Sequence, residues 1–126
     1  MEEKIMSEHI KPGVMKNINA KEVMVLKDQV ACLPGQVISK TLAQNDHVSV
    51  TLFAFGAGEE IASHRAGGDA FVTALEGKVE ITIDDDTFVL EAGNSIVMPL
   101  GYPHALKALE DFKMMLVIIY PETPRE

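Results

Sequence analysis

The feature of this sequence that most restricts its fold is the regular interruption of short apolar stretches by turn-forming residues. From residue 21 onwards, glycine, proline, asparagine and aspartate separate these stretches about every eight to twelve residues. The stretches cover residues 22–26, 36–43, 47–55, 70–75, 79–83, 87–90, 95–98, 104–108 and 112–120. Because segments this short do not suit the helices of a bundle or of an alternating α/β fold, they predict an all-β sandwich or barrel.

The clearest single strand is predicted over residues 78–83. Val79, Ile81 and Ile83 alternate there with polar side chains, so they share one face while the other face meets water. Three aspartates follow at 84–86, and aspartate tolerates the positive φ that a tight turn needs. The segment lacks the glycine and the distant glutamate of a calcium-binding EF-hand loop, so it predicts a hairpin turn to a strand over 87–90.

The chain has the length of one domain. Its 126 residues, 47% of them apolar and 24% charged, supply enough hydrophobic material for one core and show no bias towards disorder. Residues 1–20 have no clean helical or strand periodicity and contain a Pro12-Gly13 pair. We therefore expect a short N-terminal arm over residues 1–20 and a barrel over residues 21–126.

Charge and composition disfavour several kinds of partner and location. Nineteen acidic against eleven basic side chains give a net charge of −8, which repels phosphate backbones and anionic lipid, so we expect no nucleic-acid partner. We also expect no membrane partner, because the longest apolar run, 114–120, is far shorter than the roughly 20 residues of a membrane-spanning helix. The single Cys32 and a start without a secretory signal predict a cytoplasmic protein.

Residues 93–108 contain the most specific motif: a glycine, five residues, Pro-x-Gly, two residues and a histidine. Gly93, Pro99, Gly101 and His104 occupy its fixed positions. These residue types suit the rim of a β-barrel, where glycine permits a turn and proline ends a strand. The segment resembles the second motif of the cupin family, with Ala108 in place of the terminal asparagine.

Residues 58–77 resemble the first cupin motif. Gly58, His64 and Gly77 match it, whereas Ala66 stands at the second histidine position and Ala70 at the glutamate position. The resemblance, to small single-domain bacterial cupins, implies a double-stranded β-helix, or jelly-roll barrel, of two antiparallel sheets. It also implies a ligand or metal site near one mouth of that barrel.

The two alanines change the chemistry that the resemblance implies. The cupin metal centre resembles a set of three histidines and one glutamate that suits divalent Zn, Ni, Mn or Fe, and this chain keeps only His64 and His104 of that set. A third donor would have to be Asp69 or His47. Asp69 lies one residue before the glutamate position, where alternation turns a side chain outwards unless the glycine pair at 67–68 relaxes the register. His47 is more simply an exposed histidine at a strand end.

Small side chains also predict room inside the barrel. We expect His64 and His104 to face each other beside an apolar pocket that takes a small molecule. The residues expected to line this pocket are Ala66, Ala70, Val72, Met98 and Tyr102. The alternative is an interior repacked by large residues from other strands, with no ligand.

The apolar run at 114–120 predicts a partner. It lacks alternation, so both of its faces should be covered, and the barrel core covers only one. By resemblance to small cupins, which pair through sheet faces and swap terminal strands, we expect a homodimer with the arm available for exchange.

Two functions stay open on the sequence alone. The first is a small-molecule-binding cupin of unknown specificity with a weakened or absent metal site. The alternative is a divalent-metal-dependent cupin enzyme, of oxygenase or isomerase type, that uses His64, His104 and a non-standard third ligand. The motifs assign no catalytic residue, and the fold alone does not choose between an enzyme and a binding protein.

Overall fold

The structure of the protein is a computed structural model that describes residues 10–122. Within that part of the chain it contains nine β-strands and one short 3₁₀ helix, Leu26–Gln29. The strands are β1 (Val37–Gln44), β2 (Val48–Phe55), β3 (Glu60–His64), β4 (Asp69–Glu76), β5 (Lys78–Ile83), β6 (Asp86–Glu91), β7 (Ser95–Met98), β8 (His104–Ala108) and β9 (Phe112–Ile119). They form two antiparallel sheets with the orders β1-β2-β9-β4-β7 and β3-β8-β5-β6. The predicted all-β jelly-roll architecture is confirmed.

Alternation along the strands decides which side chains face the barrel interior. In β4, Ala70 and Val72 are buried, whereas Phe71 between them is 45% exposed. Strand β5 alternates in the same way, and a tight turn joins it to β6 with Asp84 at a φ of 56°. The hairpin predicted at 84–86 is therefore confirmed.

The interior of the barrel is a packed hydrophobic core. Its largest side chains are almost completely buried and come from both sheets: Phe55, Ile81, Met98, Phe112 and Met114. Ala70 and Ala74, each 1% exposed, belong to the same cluster. At this depth the interior follows the alternative of repacking by large residues, because the small side chains border other side chains rather than water.

A second apolar cluster lies on the outer face of the five-stranded sheet. Leu42, Leu52 and Ala54 are buried there under Val30, which precedes the first strand. The backbone N–H of Lys16 donates to the Leu42 carbonyl at 2.7 Å. Residues 16–32, called the covering segment below, therefore pack along the outside of their own barrel.

Strand β9 is apolar on both faces, as its sequence indicates. Met114, Leu116 and Ile118 belong to the core or pack against it. On the opposite face, Met115 packs against the outer cluster under the covering segment, while Ile119 is 54% exposed. The second face of the run is thus covered along only part of its length.

One predicted strand is absent, and one observed strand was not predicted. The stretch at 22–26 forms no strand, because Val23 and Val25 are exposed without a neighbouring strand among residues 10–122 and Leu26 begins the 3₁₀ helix. Strand β3 was not predicted, because four of its five residues are exposed at the edge of its sheet and show no apolar alternation. No helix among residues 10–122 combines the length and the apolar character needed to cross a membrane.

Candidate functional site

The two motif histidines meet at one end of the barrel. Strand β3 ends at His64 and β8 begins at His104, and the two residues are register partners in the four-stranded sheet. Direct partners in antiparallel strands point to the same face. The ring centroids lie 4.4 Å apart, and the ring planes are inclined at 71°. The expectation that these imidazoles face each other is confirmed.

The two rings have different surroundings. His104 is 3% exposed, whereas His64 is exposed to solvent. Nδ1 of His64 lies 3.1 Å from the carbonyl oxygen of Ala62, to which it donates when that nitrogen carries the proton. Nδ1 of His104 is buried and has no hydrogen-bond partner within residues 10–122. A buried polar atom in that state destabilises the fold until a partner satisfies it.

The environment of His104 also fixes its charge. Burial lowers the pKa of His104, and the adjacent imidazole of His64 lowers it further. The backbone carbonyl of Tyr102 raises the pKa as a nearby hydrogen-bond acceptor, but it lies outside hydrogen-bonding geometry for the buried Nδ1, and its effect is outweighed. Because the ordinary pKa of histidine is about 6.5, His104 is neutral at pH 7. Its ring can then donate one hydrogen bond and accept another.

The side chains around the pair do not complete a metal centre. Ala66 and Ala70 carry no donor atom, and Asp69 lies on the outer face of β4, next to the buried Ala70. The carboxylate of Asp69 accepts a hydrogen bond from the backbone N–H of Leu100 at 2.8 Å. Among residues 10–122, no group of three or more His, Cys, Asp or Glu side chains is placed to hold a metal ion. The structure does not bring Asp69 to the imidazoles, because the glycine pair leaves the alternation of β4 intact.

His47 lies at the same end of the barrel but away from the pair. It precedes β2, and its carbonyl accepts a hydrogen bond from the backbone N–H of Tyr120 at 3.1 Å. It borders a cavity of about 780 Å³ lined by Asn45, Asp46, His47, Gly67, Leu100, Tyr120, Pro121 and Glu122. Neither ring of the pair lines this cavity, so the structure does not bring His47 to His64 and His104.

The residues expected to line a ligand pocket fall into two groups. Ala70, Val72 and Met98 are at most 1% exposed and belong to the core. Ala66 is half-buried against that core, and Tyr102 is 51% exposed in the loop between β7 and β8. Contact of a ligand with all five residues stays a prediction, and contact with the first three requires the core to open.

Arg65 and Asp69 shape this end of the barrel in a role that was not expected from the sequence, as anchors of a loop. Nη1 of Arg65 donates to the Gly101 carbonyl at 2.7 Å, and Asp69 accepts from the N–H of Leu100. Together they hold the loop at 99–103 that leads into His104. The signal available in the sequence was their position on either side of the glycine pair, opposite a Pro-x-Gly loop from the other motif.

Comparisons with known proteins agree with this architecture. A family model described as Cupin domain matches residues 51–120. A conserved protein of unknown function from Streptococcus pyogenes is 42% identical, with 89% of this chain and 98% of that chain covered and a TM-score of 0.86. A cupin superfamily protein from Desulfitobacterium hafniense is 29% identical, with 85% and 98% covered and a TM-score of 0.81.

This chain is also similar to part of a longer protein of known structure. This is a Cupin 2 conserved barrel domain protein from Leptotrichia buccalis, which is 34% identical with a TM-score of 0.72. The match covers 74% of this chain and 45% of that one. No curated protein gives a significant match.

Proposed function

This chain belongs to the cupin family, and we propose that it binds a small, mainly apolar organic molecule at the barrel end marked by His64 and His104, with a weakened or absent metal site. This chain keeps one part of the family architecture and has lost another. The barrel and two of the family's histidine positions are kept, whereas the other two donor positions of a complete metal centre are alanines.

The unsatisfied Nδ1 of His104 supports this proposal most strongly. Buried polar atoms in folded proteins almost always have a hydrogen-bond partner, and an exception calls for an explanation. The exposed ring of His64 lies against the ring of His104, and we propose that a ligand reaches the buried ring from the side of His64. A ligand that enters there and hydrogen-bonds Nδ1 removes the cost of leaving that atom without a partner.

The lowered pKa of His104 narrows the chemistry of the ligand. A neutral imidazole offers one donor and one acceptor and no charge to attract a carboxylate or a phosphate. A hydroxyl group suits it best, because a hydroxyl both donates and accepts. The neighbouring Ala66 and the exposed ring of Tyr102 offer apolar surface for the part of the ligand that carries no polar group.

The donor set supports a role that does not depend on a metal ion. Catalytic zinc sites generally use three protein ligands and an open position, and residues 10–122 place only two imidazoles here. The metal-dependent enzyme therefore requires a further donor beyond those that the described residues bring to the pair.

Nuclear magnetic resonance can test binding directly. Cyclohexanol, cyclohexanone and benzyl alcohol are suitable probes, because each has an apolar body and one neutral hydrogen-bonding group. We expect at least one to cause saturable shifts in the backbone amides of 64–66 and 102–104 of the wild-type protein. In His104→Ala the affinity should fall about tenfold, which corresponds to the loss of one hydrogen bond at a buried site.

His47→Ala is the matched control, since it removes a histidine at the same barrel end without touching the pair. Its affinity for the probe should equal that of the wild-type protein. The proposal is contradicted if none of the probes gives saturable shifts, or if the shifts centre on His47 and Tyr120 and survive in His104→Ala.

A further inference from the structure

A cavity separate from the histidine pair lies where four parts of the chain meet at one end of the barrel. Its walls come from the turn between β1 and β2, from Gly67 before β4, from Leu100, and from residues 120–122 after β9. Its volume of about 780 Å³ lies within the range of sites that hold small molecules. Neither His64 nor His104 lines it, so an occupant here would be a second ligand, beyond the function proposed above.

Hydrogen bonds hold the walls of this cavity in place. Oδ1 of Asn45 accepts from the backbone N–H groups of His47 at 2.8 Å and of Val48 at 3.0 Å, which fixes the turn before β2. The backbone N–H of Tyr120 donates to the His47 carbonyl at 3.1 Å, which ties the residue after β9 to that turn. Two opposite walls are thereby joined by the backbone, as is usual for a site that is formed before its ligand arrives.

The side chains on these walls carry negative charge without a positive partner. Asp46 and Glu122 are both exposed and both line the cavity. Neither carboxylate forms an ion pair or a hydrogen bond with any of residues 10–122, and no lysine or arginine in that range lines the cavity. Like charges on one concave surface reinforce each other's field, and the net charge of −8 adds to it. The cavity therefore attracts a cation.

The remaining walls suit the apolar body of an organic molecule. Leu100, Pro121 and the half-buried ring of Tyr120 supply apolar surface. Gly67 leaves that ring accessible, because an added Cβ at this position would lie 3.6 Å from Cε1 of Tyr120. An aromatic ring attracts a cation as well as an apolar group. The lining thus combines anionic groups with an apolar and aromatic surface.

We propose that this cavity binds a small organic amine, protonated at neutral pH, that carries its ammonium group on an apolar body. An ammonium group has three N–H donors, so it can serve the carboxylates of Asp46 and Glu122 together. Hydrogen bonds between ionised partners are stronger than those of a neutral hydroxyl group. The apolar body packs against Tyr120 and Leu100.

A titration with benzylamine, followed by nuclear magnetic resonance of the full chain, tests this proposal. We expect saturable shifts in the backbone amides of 45–47, 67 and 120. Benzyl alcohol has the same body without the charge, so its affinity for this cavity should be lower by about tenfold or more. The histidine pair is read from other amides, so this proposal and the proposed function can fail independently.

Neutral variants of the two acids test the role of charge. Asp46→Asn combined with Glu122→Gln keeps the shape of both side chains and should lower the affinity for benzylamine about tenfold or more. Asp85→Asn combined with Glu110→Gln is the matched control, because it removes the same net charge from exposed acids that do not line the cavity. The control should bind benzylamine as the wild-type protein does.

Gly67→Val tests the apolar side of the cavity without changing its charge. Gly67 has no positive φ, and the branched side chain would cover the edge of the Tyr120 ring, so the affinity should fall about fivefold or more. Gly13→Val is its control, since nothing lies within 4 Å of an added Cβ there. The proposal is overturned if benzylamine gives no saturable shift up to about 10 mM, or if its shifts centre on 64–66 and 102–104. It is equally overturned if the cavity variants bind as tightly as their controls.

Discussion

A buried imidazole with an unsatisfied nitrogen is an unusual component of a mainly apolar barrel, in which Ser49 is the other buried polar residue among residues 10–122. Strand alternation places His104 inwards together with Leu106 and Ala108, so its burial follows from its position at the start of β8. An apolar residue at the same position would leave no unpaired polar atom and would favour stability. We therefore attribute the histidine to binding rather than to folding.

At the residue scale, His104 should make the fold sensitive to acid. Its folded-state pKa lies below the value of about 6.5 in the unfolded chain, so the unfolded chain takes up more protons as the pH falls through that range. The stability that neutral His104 allows is fully present above its unfolded-state pKa. It is lost as the pH falls through its folded-state pKa. Urea unfolding at about pH 8 and about pH 5 should show a larger loss of stability for wild type than for His104→Gln. His47→Gln should keep the full loss, and equal losses in wild type and His104→Gln would refute this attribution.

Two motif glycines make a second residue-scale prediction, because they share a positive φ and differ in their surroundings. Gly77 has φ +81° and Gly93 has φ +96°, but an added Cβ at Gly77 would overlap the Asp111 carbonyl, whereas nothing lies within 4 Å of one at Gly93. Gly93→Ala should cost about 1–2 kcal/mol of unfolding free energy from backbone strain alone. Gly77→Ala should cost clearly more, about 3 kcal/mol or above, because the overlap adds to the strain. Chemical denaturation of both variants measures the difference, and equal costs would show that the close approach to Asp111 is unimportant.

At the element scale, the covering segment packs against the outer apolar cluster on the five-stranded sheet. The thiol of Cys32 in this segment donates a hydrogen bond to the Phe112 carbonyl oxygen, with Sγ and that oxygen 3.6 Å apart. Burial raises the pKa of this thiol, and the nearby Asp111 carboxylate raises it further. Because less of the reactive thiolate forms, Cys32 should react slowly with alkylating agents while the segment is packed on the barrel.

Detaching the segment should therefore expose Cys32. Val30→Asp places a charge among Leu42 and Leu52 and should increase the rate of alkylation by iodoacetamide about tenfold or more, since that charge cannot be buried unpaired. Val25→Asp is the control, because Val25 is 55% exposed in the same segment. If Val30→Asp reacts no faster than Val25→Asp, the segment is not held by this cluster.

The sequence predicts elements well where one face is buried and the other is wet. The strand bounds at 95–98 and 104–108 match β7 and β8, and the hairpin at 84–86 has the expected tight turn. Strand β3 could not be found in this way, because an exposed edge strand is held by backbone pairing and by its neighbour, not by apolar alternation.

The candidate site was also predictable only where local sequence motifs determine it. That His64 and His104 converge was predictable from two motifs with fixed spacing, since the resemblance carries the register of the fold with it. The sequence left open whether the interior near Ala70 is roomy or repacked, because the answer depends on Phe55 and Phe112, which come from distant strands. The break between strands at 99–103 was expected, but the way this loop is held was not, since the hydrogen bond that the Leu100 N–H donates to Asp69 joins residues far apart in sequence.

At the scale of the whole molecule, the five-stranded sheet separates two apolar environments. Its inner face closes the barrel core, and its outer face carries the covering segment and, beyond it, the exposed side chains of Phe71 and Val97. A domain of this size is stabilised by only about 5–15 kcal/mol in total, so single core truncations should be severe.

Truncation of the core should show that dependence. Leu106→Ala should lower the free energy of unfolding by about 2–4 kcal/mol, because Leu106 is 3% exposed in the core and its removal leaves a cavity. Leu109→Ala, at 46% exposure just after β8, should cost about 0.5 kcal/mol or less. Urea denaturation of the two variants compares them, and similar losses would mean that the barrel interior is not the main source of stability.

Metal stoichiometry decides whether the histidine pair serves a ligand site, as we propose, or a metal centre. The wild-type protein and His104→Ala are incubated with Zn, Ni, Mn and Fe(II) in turn, freed of unbound ion by gel filtration and analysed for metal. We expect far less than one ion per chain and no difference between the two proteins, because two imidazoles without a third donor bind weakly. One ion per wild-type chain that is lost in His104→Ala would show that the pair belongs to a metal centre.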